Sequence, residues 1–185
     1  MVTRKNNMPF LFFTNDLLIG EDVIKTYRHI GDLSGVFKEK EIFDSIPSHT
    51  LVYEVYSYMP LKEGVPGGLY FGITKIYPGK VGQEYYMTKG HFHAERNTAE
   101  YYWGIKGEGM LILMDSERNI WMERIFPGSL HYIPGGVAHR VANIGNETLS
   151  FAACWPSNAG HNYEEIALNG FSARLMDING TPQLI

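Results

Sequence analysis

Two histidines separated by a single residue, His91 and His93, open the stretch where this chain concentrates its chemistry. On extended backbone, side chains two apart point to the same face, so both imidazoles can reach one ion. Glu100 follows, and His139 stands further on in Pro134-Gly135-Gly136-Val137-Ala138-His139-Arg140-Val141-Ala142-Asn143. Three neutral imidazoles and one carboxylate form a donor set for a first-row divalent metal, with coordination positions left for a substrate. A lone His-x-His pair is more often two surface histidines. Here the surrounding residues favour ligation.

Other residues compete for these roles. Glu95 lies two positions after His93 and would share its face on an unbroken strand. The run Ala94-Glu95-Arg96-Asn97 is instead good turn material, so Glu100, at the head of the aromatic run Tyr101-Tyr102-Trp103, is the preferred acid. His131 sits beside Tyr132 in an ordinary strand-like run. His29 and His49 have no ligand-like neighbours, and His161 is a candidate pocket residue.

The elements that must position these groups read as strands. Leu51 to Tyr58 alternates as a strand should, and Leu69 to Tyr77 follows after a turn-rich interval. Glu84 to Thr88 reads as extended and leads into the first histidines, and a polar turn at Glu95-Arg96-Asn97 reverses the chain into the strand from Glu100 to Ile105. Met110 to Met114 and Ile120 to Ile125 flank a turn at Asp115 to Asn119 and predict a hairpin. Ser129 to Ile133 and Leu149 to Trp155 complete the set. Two short helices are expected, over Lys38 to Ile46, stopped by Pro47, and over Tyr163 to Leu168. Asn179-Gly180 predicts a further turn. Strands at this spacing, with turn signals between them, predict an all-β fold. The expected architecture is one double-stranded β-helix spanning residues 1–185. Its core covers about 51–157, the N-terminal elaboration with extra strands covers 1–50, and the C-terminal extension covers 158–185. Nothing in residues 1–50 suggests chemistry.

Composition narrows the partners. The 185 residues carry a formal charge of −4, which argues against general affinity for nucleic acid or acidic lipid. An anionic substrate therefore needs a locally arranged site. Cys154 is the only cysteine and is expected to be a buried structural thiol, so a reducing compartment, the cytoplasm, is favoured. Arg4 and Lys5 precede only a brief apolar run, Pro9 to Phe13, too short for a signal sequence or a membrane span.

Gly128, Pro134, Gly136, His139 and Asn143 fill the pattern G-x5-P-x-G-x2-H-x3-N, the second motif of the cupins. His91-x-His93 and Glu100-x6-Gly107 resemble the two halves of the first cupin motif, with a longer gap between them. The usual spacing would place the acid at Asn97 or Thr98, and Tyr85 holds the place of the usual upstream glycine. That longer gap, with Tyr77-Pro78-Gly79-Lys80-Val81-Gly82, Thr88-Lys89-Gly90-His91-Phe92-His93-Ala94 and Ala159-Gly160-His161-Asn162-Tyr163, resembles the cupin-type phosphoglucose isomerases, over roughly Val52 to Phe171. Trp155 stands where that family carries a tyrosine, and Gly136 where it can carry an aromatic.

The resemblance implies His91, His93, Glu100 and His139 as ligands of one divalent metal, iron first, with manganese, nickel or zinc as alternatives. It implies Tyr53, Thr74, Thr88, Gly90, Tyr102, Trp155, His161 and Tyr163 around a sugar phosphate, without nucleic acid or membrane as partner, in a homodimer. The implied reaction interconverts glucose 6-phosphate and fructose 6-phosphate. The metal would polarise the C1 or C2 oxygen, with Glu100 as base through an enediolate, or with a hydride shift instead. His161 or Tyr163 would assist ring opening. The rival expectations are a mononuclear iron dioxygenase, which uses a similar ligand set, and a non-enzymatic sugar-binding cupin.

Overall fold

In a computed structural model of the chain, which describes residues 9–14 and 16–185, the paired strands all run antiparallel. Arg4 and Lys5, weighed above, lie outside the described residues. In chain order the strands are β1 (Phe12–Thr14), β2 (Leu17–Ile19), β3 (Ile24–His29), β4 (Leu51–Tyr58), β5 (Leu69–Ile76), β6 (Lys80–Val81), β7 (Glu84–Tyr85), β8 (Glu100–Lys106), β9 (Gly109–Met114), β10 (Ile120–Ile125), β11 (Leu130–Ile133), β12 (Ala138–Asn143), β13 (Leu149–Pro156), β14 (Leu175–Ile178) and β15 (Thr181–Leu184). The two short helices are α1 (Lys40–Ser45) and α2 (Glu164–Asn169). This is the all-β fold that the strand spacing predicts, in the cupin form that the motif resemblance implies.

The larger sheet runs β11-β8-β13-β5-β4-β3. Facing it is β10-β9-β12, which the chain around the first histidines extends through single bridges, Met87 to Ala142 and His91 to His139. A third sheet, β15-β14-β7-β6, ties the tail to the middle of the chain, so the Asn179-Gly180 turn joins two strands that the sequence did not announce. The expected extended run Glu84 to Thr88 is a strand only over Glu84–Tyr85 and then continues as the isolated bridge.

Alternation along each strand separates the two faces of the large sheet. Directly opposed residues share a face, and Thr26, Val55, Thr74 and Phe151 form one such row across β3, β4, β5 and β13. That row faces inward, and Phe151 is buried there. The alternate row Tyr132, Tyr101, Cys154, Phe71 and Tyr58 faces outward. Cys154 is thus half-buried on the outer face, not the buried core thiol expected. The hairpin β1–β2 covers part of this outer face, where Leu18 joins Ile73 and Ala152 in a small core of its own.

The second cupin motif has a folding reason for its residues. Gly136 adopts φ +81°, a left-handed conformation that side chains other than glycine strain to reach. That turn aims β12 back beneath the sheet. Asn143 is fully buried at the other end of β12. Its amide donates to the carbonyls of Ile76 and Glu147, both at 2.8 Å, and its oxygen accepts the Gly145 N–H at 2.9 Å. Each such bond is worth about 1 kcal/mol net, and losing the side chain would strand the buried Ile76 carbonyl.

Candidate metal centre

The first histidines are placed by a strand-like bridge. His91 N–H donates to the His139 carbonyl at 3.2 Å, and His139 N–H returns to the His91 carbonyl at 3.0 Å. Residues that exchange both bonds across an antiparallel pair project to the same face, so two histidines far apart in sequence become neighbours, with ring centroids 4.5 Å apart. Phe92 points the other way and is buried, anchoring the segment. Glu100 arrives at the start of β8, after the turn Glu95 to Asn97 in which Thr98 N–H donates to the Glu95 carbonyl at 3.1 Å. Glu95 stays outside on that turn, as its exposure requires, and its carboxylate accepts the Asn97 N–H at 3.3 Å.

One donor atom from each of His91, His93, Glu100 and His139 lies within 4.8 Å of the other three. That is the spread of ligands sharing one ion with bonds of about 2.0–2.2 Å. The hydrogen bonds orient the rings for it. His93 Nδ1–H donates to the Thr98 carbonyl at 2.9 Å, and the Thr98 hydroxyl, itself donating to Glu95, also accepts from Nδ1. His139 Nδ1–H donates to the Val137 carbonyl at 3.2 Å. A carbonyl only accepts, so in each neutral ring the lone pair is on Nε2. Those Nε2 atoms, with His91 Nε2 and Glu100 Oε1, are buried without hydrogen-bond partners. Four orphaned buried donors converging on one point are costly unless an ion satisfies them. The residues therefore fit a divalent metal.

The electrostatics agree. Burial pushes the Glu100 carboxyl up, but the adjacent His139 and His93 imidazoles more than reverse this and leave it below the usual carboxylate range. Burial, with His139 close by, holds His91 well below the ordinary imidazole value, so it is neutral and able to ligate. For His93, burial lowers the pKa but its contact with Glu100 outweighs burial and raises it. Burial also holds the Tyr102 hydroxyl protonated beside the Glu100 charge.

The cluster opens on a cavity of about 300 Å³. Tyr53, Thr74, Thr88, Gly90, Tyr102, Trp155, His161 and Tyr163, all singled out in the sequence, line it with His91, Glu100 and His139. His93 does not reach its surface. His161 is brought beside His91 because Asn162 bridges to Phe92 in both directions, and the two rings lie 4.5 Å apart. Tyr163 stacks on His161 at 5.6 Å. Gly90, at φ +76°, gives the bend that precedes His91, and a Cβ there would strike Arg140 and Phe171 at 2.8 Å.

Residues 1–50 contribute after all. Thr26 and Arg28 of β3 line the same cavity, with Lys89 and Glu63. Arg28 stands directly opposite Tyr53. Glu100 stands on β8 of the large sheet, His91 and His139 on the facing sheet's side, and Arg28 on the β3 edge, so the ligands and this cation approach one cavity from different elements. No sequence signal marked Arg28, since its strand belongs to the sheet only through pairing with β4. His131, discounted in the sequence, does have partners. Its Nδ1 meets Glu123 Oε2 at 2.7 Å and its Nε2 meets Ser129 Oγ at 2.9 Å.

Comparison with known proteins now bears on this geometry. A family model described as glucose-6-phosphate isomerase matches residues 19–183. The glucose-6-phosphate isomerase of Thermococcus kodakarensis is 40% identical over 162 residues, covering 87% of this chain and 85% of that one. The enzyme of the same name from Pyrococcus furiosus is 38% identical over 167 residues, covering 89% and 87%. Among solved structures, oxalate decarboxylase from Bacillus subtilis superposes partially, with TM-score 0.47 and 21% identity over 65% of this chain and 29% of that one. With the family model spanning nearly the whole chain and relatives of this identity covering most of both partners, the chain belongs to the glucose-6-phosphate isomerase family.

Proposed function

We propose that this chain interconverts glucose 6-phosphate and fructose 6-phosphate in the cavity between its two sheets, with a divalent metal held by His91, His93, Glu100 and His139. The observation that carries this reading is the set of four orphaned donor atoms, three of whose residues line a cavity that Arg28 and Lys89 also line. Iron is the first candidate, with manganese, nickel and zinc as alternatives for three nitrogens and one oxygen. When bound, the metal supplies Lewis acidity to the C1 and C2 oxygens of the open sugar.

The chain's own residues do the rest. Arg28, with the hydroxyls of Tyr53, Thr74 and Thr88 and the backbone at Gly90, receives the phosphate by charge-assisted hydrogen bonds. That arrangement suits an acidic protein, because the positive charge is local. Tyr102 and Trp155 wall the sugar chain. Glu100, held ionised at the cavity wall, takes the proton from one carbon and returns it to its neighbour. Its lowered pKa makes it a weak base, and a hydride shift between C1 and C2 is the competing route. His161 stands exposed at the cavity mouth, and the protein packed around its ring lowers its pKa, so the neutral ring can accept a ring-hydroxyl proton during ring opening, with Tyr163 beside it.

The dioxygenase and sugar-binding readings are not favoured, because the family match favours a sugar-phosphate isomerase and Arg28 and Lys89 offer the cavity charge for a phosphate. Residues 1–185 act as one cupin unit in this reading, with β3 and β14–β15 as its additions at either end. The outward row with Tyr101, 48% exposed, and Tyr132, 56% exposed, supports a homodimer. Among the described residues no helix is long and apolar enough to cross a membrane, and a sugar-phosphate substrate and a free cysteine suit the cytoplasm.

The test is conversion of fructose 6-phosphate by metal-analysed protein before and after EDTA. Loss with chelator and return with a divalent ion is expected. Absence of turnover with every metal tried would remove the reading. Arg28→Gln is expected to raise KM by about tenfold while keeping most of kcat, as loss of one charge-assisted bond to phosphate requires.

A further inference from the structure

A second, smaller cavity of about 160 Å³ lies on the other side of the Lys89-Gly90 segment. Three cationic side chains line it, Lys89, Arg140 and Arg174, with Ser34, Gly35 and the α2 residues Ile166 and Ala167. Arg140 is the unusual one. It is 9% exposed, and among the described residues it makes no ion pair. Its guanidinium donates to the Lys89 carbonyl at 2.6 Å and to Met87 Sδ at 3.3 Å, and lies 4.2 Å over the Phe171 ring. Its Nε–H is buried without a partner. Arg174 is paired with Glu84 at 2.7 Å, so the remaining charge around the cavity is positive.

A buried arginine without a carboxylate is expensive, and a missing acceptor beside a basic cavity is the signature of an absent anion. We propose that this cavity is a binding site for a free phosphate-sized oxyanion, separate from the substrate cavity and coupled to it. Its volume is about half that of the substrate cavity, which favours a free oxyanion over a sugar phosphate. The oxyanion would accept from Arg140 and Arg174, whose planar forks suit it, with Lys89 as a third charge. The coupling follows from shared parts. Lys89, Gly90 and Tyr163 line both cavities, and Arg140 holds the Lys89 carbonyl one residue before the bend that leads into His91. An anion that draws on Arg140 shifts that segment and so alters substrate affinity. This coupling rests on the substrate cavity being as described above, whereas the site itself does not.

The experiment first saturates the metal-loaded protein with a hexitol 6-phosphate, an open-chain analogue that cannot isomerise. Inorganic phosphate is then titrated by calorimetry. We expect one further phosphate per chain, and mixed rather than purely competitive inhibition of turnover by phosphate. Arg174→Gln should weaken the second binding by about tenfold, the effect of one charge-assisted contact, with basal turnover unchanged. Because Arg174 also satisfies Glu84, Ala167→Glu serves as the second variant. Ala167 is an exposed helical residue on the rim, and a carboxylate there should abolish second-site binding while leaving hexitol phosphate binding intact. Phosphate that binds only in competition with the hexitol phosphate, or second-site affinity unchanged in both variants, would overturn the proposal. So would a second site that takes a phosphomonoester but not free phosphate. Failure of the hexitol phosphate itself to bind would count against the substrate reading instead, and the phosphate titration on the unliganded protein would still test this site.

Discussion

Two histidine–carboxylate groupings adjoin β8, and they differ in one respect. Around His131 both ring nitrogens are engaged, one by Glu123 and one by Ser129, and Ser129 Oγ also accepts the Phe126 N–H at 3.0 Å. Around His139 Nδ1 is held by a carbonyl, while Nε2 crowds against the Glu100 carboxylate without hydrogen-bond geometry and is aimed with three other buried donors at a common point. The first grouping closes on itself and stabilises a turn between β10 and β11. The second is open and holds its unmet valence in place. The lesson is that a histidine beside a carboxylate says little until each lone pair is accounted for.

The comparison can be broken most forcefully at His139. His139→Ala is expected to lower kcat/KM by about a thousandfold, the loss of roughly 4 kcal/mol of Lewis-acid stabilisation, and to remove bound metal as measured by elemental analysis. His131→Ala should leave both metal content and turnover unchanged. A similar metal loss in the two variants would erase the distinction between the groupings.

A subtler variant tests how the open grouping is oriented. Thr98→Val removes one of the two acceptors of His93 Nδ1–H and keeps the carbonyl. Metal affinity should fall by about tenfold, the lower end of the range for outer hydrogen-bonding partners. A competition titration with a chromophoric chelator would measure it, and unchanged affinity would mean that the carbonyl alone orients the ring.

Stability gives a third contrast. Saturating metal, at a hundredfold over its Kd, should stabilise the wild type by about 2.7 kcal/mol and the His139→Ala protein not at all. His131→Ala should cost about 1–3 kcal/mol, since it strands Ser129 in the interior. Thermal unfolding with and without EDTA reads both quantities.

The smallest effect is in pH. In metal-free protein the lowered Glu100 pKa contributes stability that is present above the ordinary carboxylate value of 4.5 and lost as pH falls through the folded value. The raised His93 pKa contributes stability that is full below the ordinary imidazole value of 6.5 and lost as pH rises through the folded value. The stability difference between metal-free wild type and Glu100→Gln should therefore be widest between pH 4.5 and 6.5 and narrow on both sides. A gap that keeps growing toward alkaline pH would contradict the pairing.

Much of this was legible in the chain itself. The strand Leu51–Tyr58 and the hairpin β9–β10 stand where alternation and turn residues predict them, because period-two burial writes itself into residue type. The four clustered donors were identified as candidates from His91-x-His93, the preference for Glu100 over Glu95, and the motif around His139. What alternation could not mark was any residue whose role depends on a distant partner. Arg28 is an unremarkable strand residue until β3 pairs with β4 and sets it opposite Tyr53. Glu123 and Ser129 are ordinary polar residues until β10 and β11 fold around His131. The strands β14 and β15 went unrecognised for a similar reason, since one of them pairs with β7 far upstream.

The sequence by itself determined the donor types, their local spacing and the turns that let each strand begin, because these depend on neighbours along the backbone. The tertiary structure alone decided which lone pairs remain unmet, which cations face a cavity and which face the solvent or a carboxylate. Those depend on desolvation and on contacts between strands remote in the chain, and no local pattern of residues encodes them.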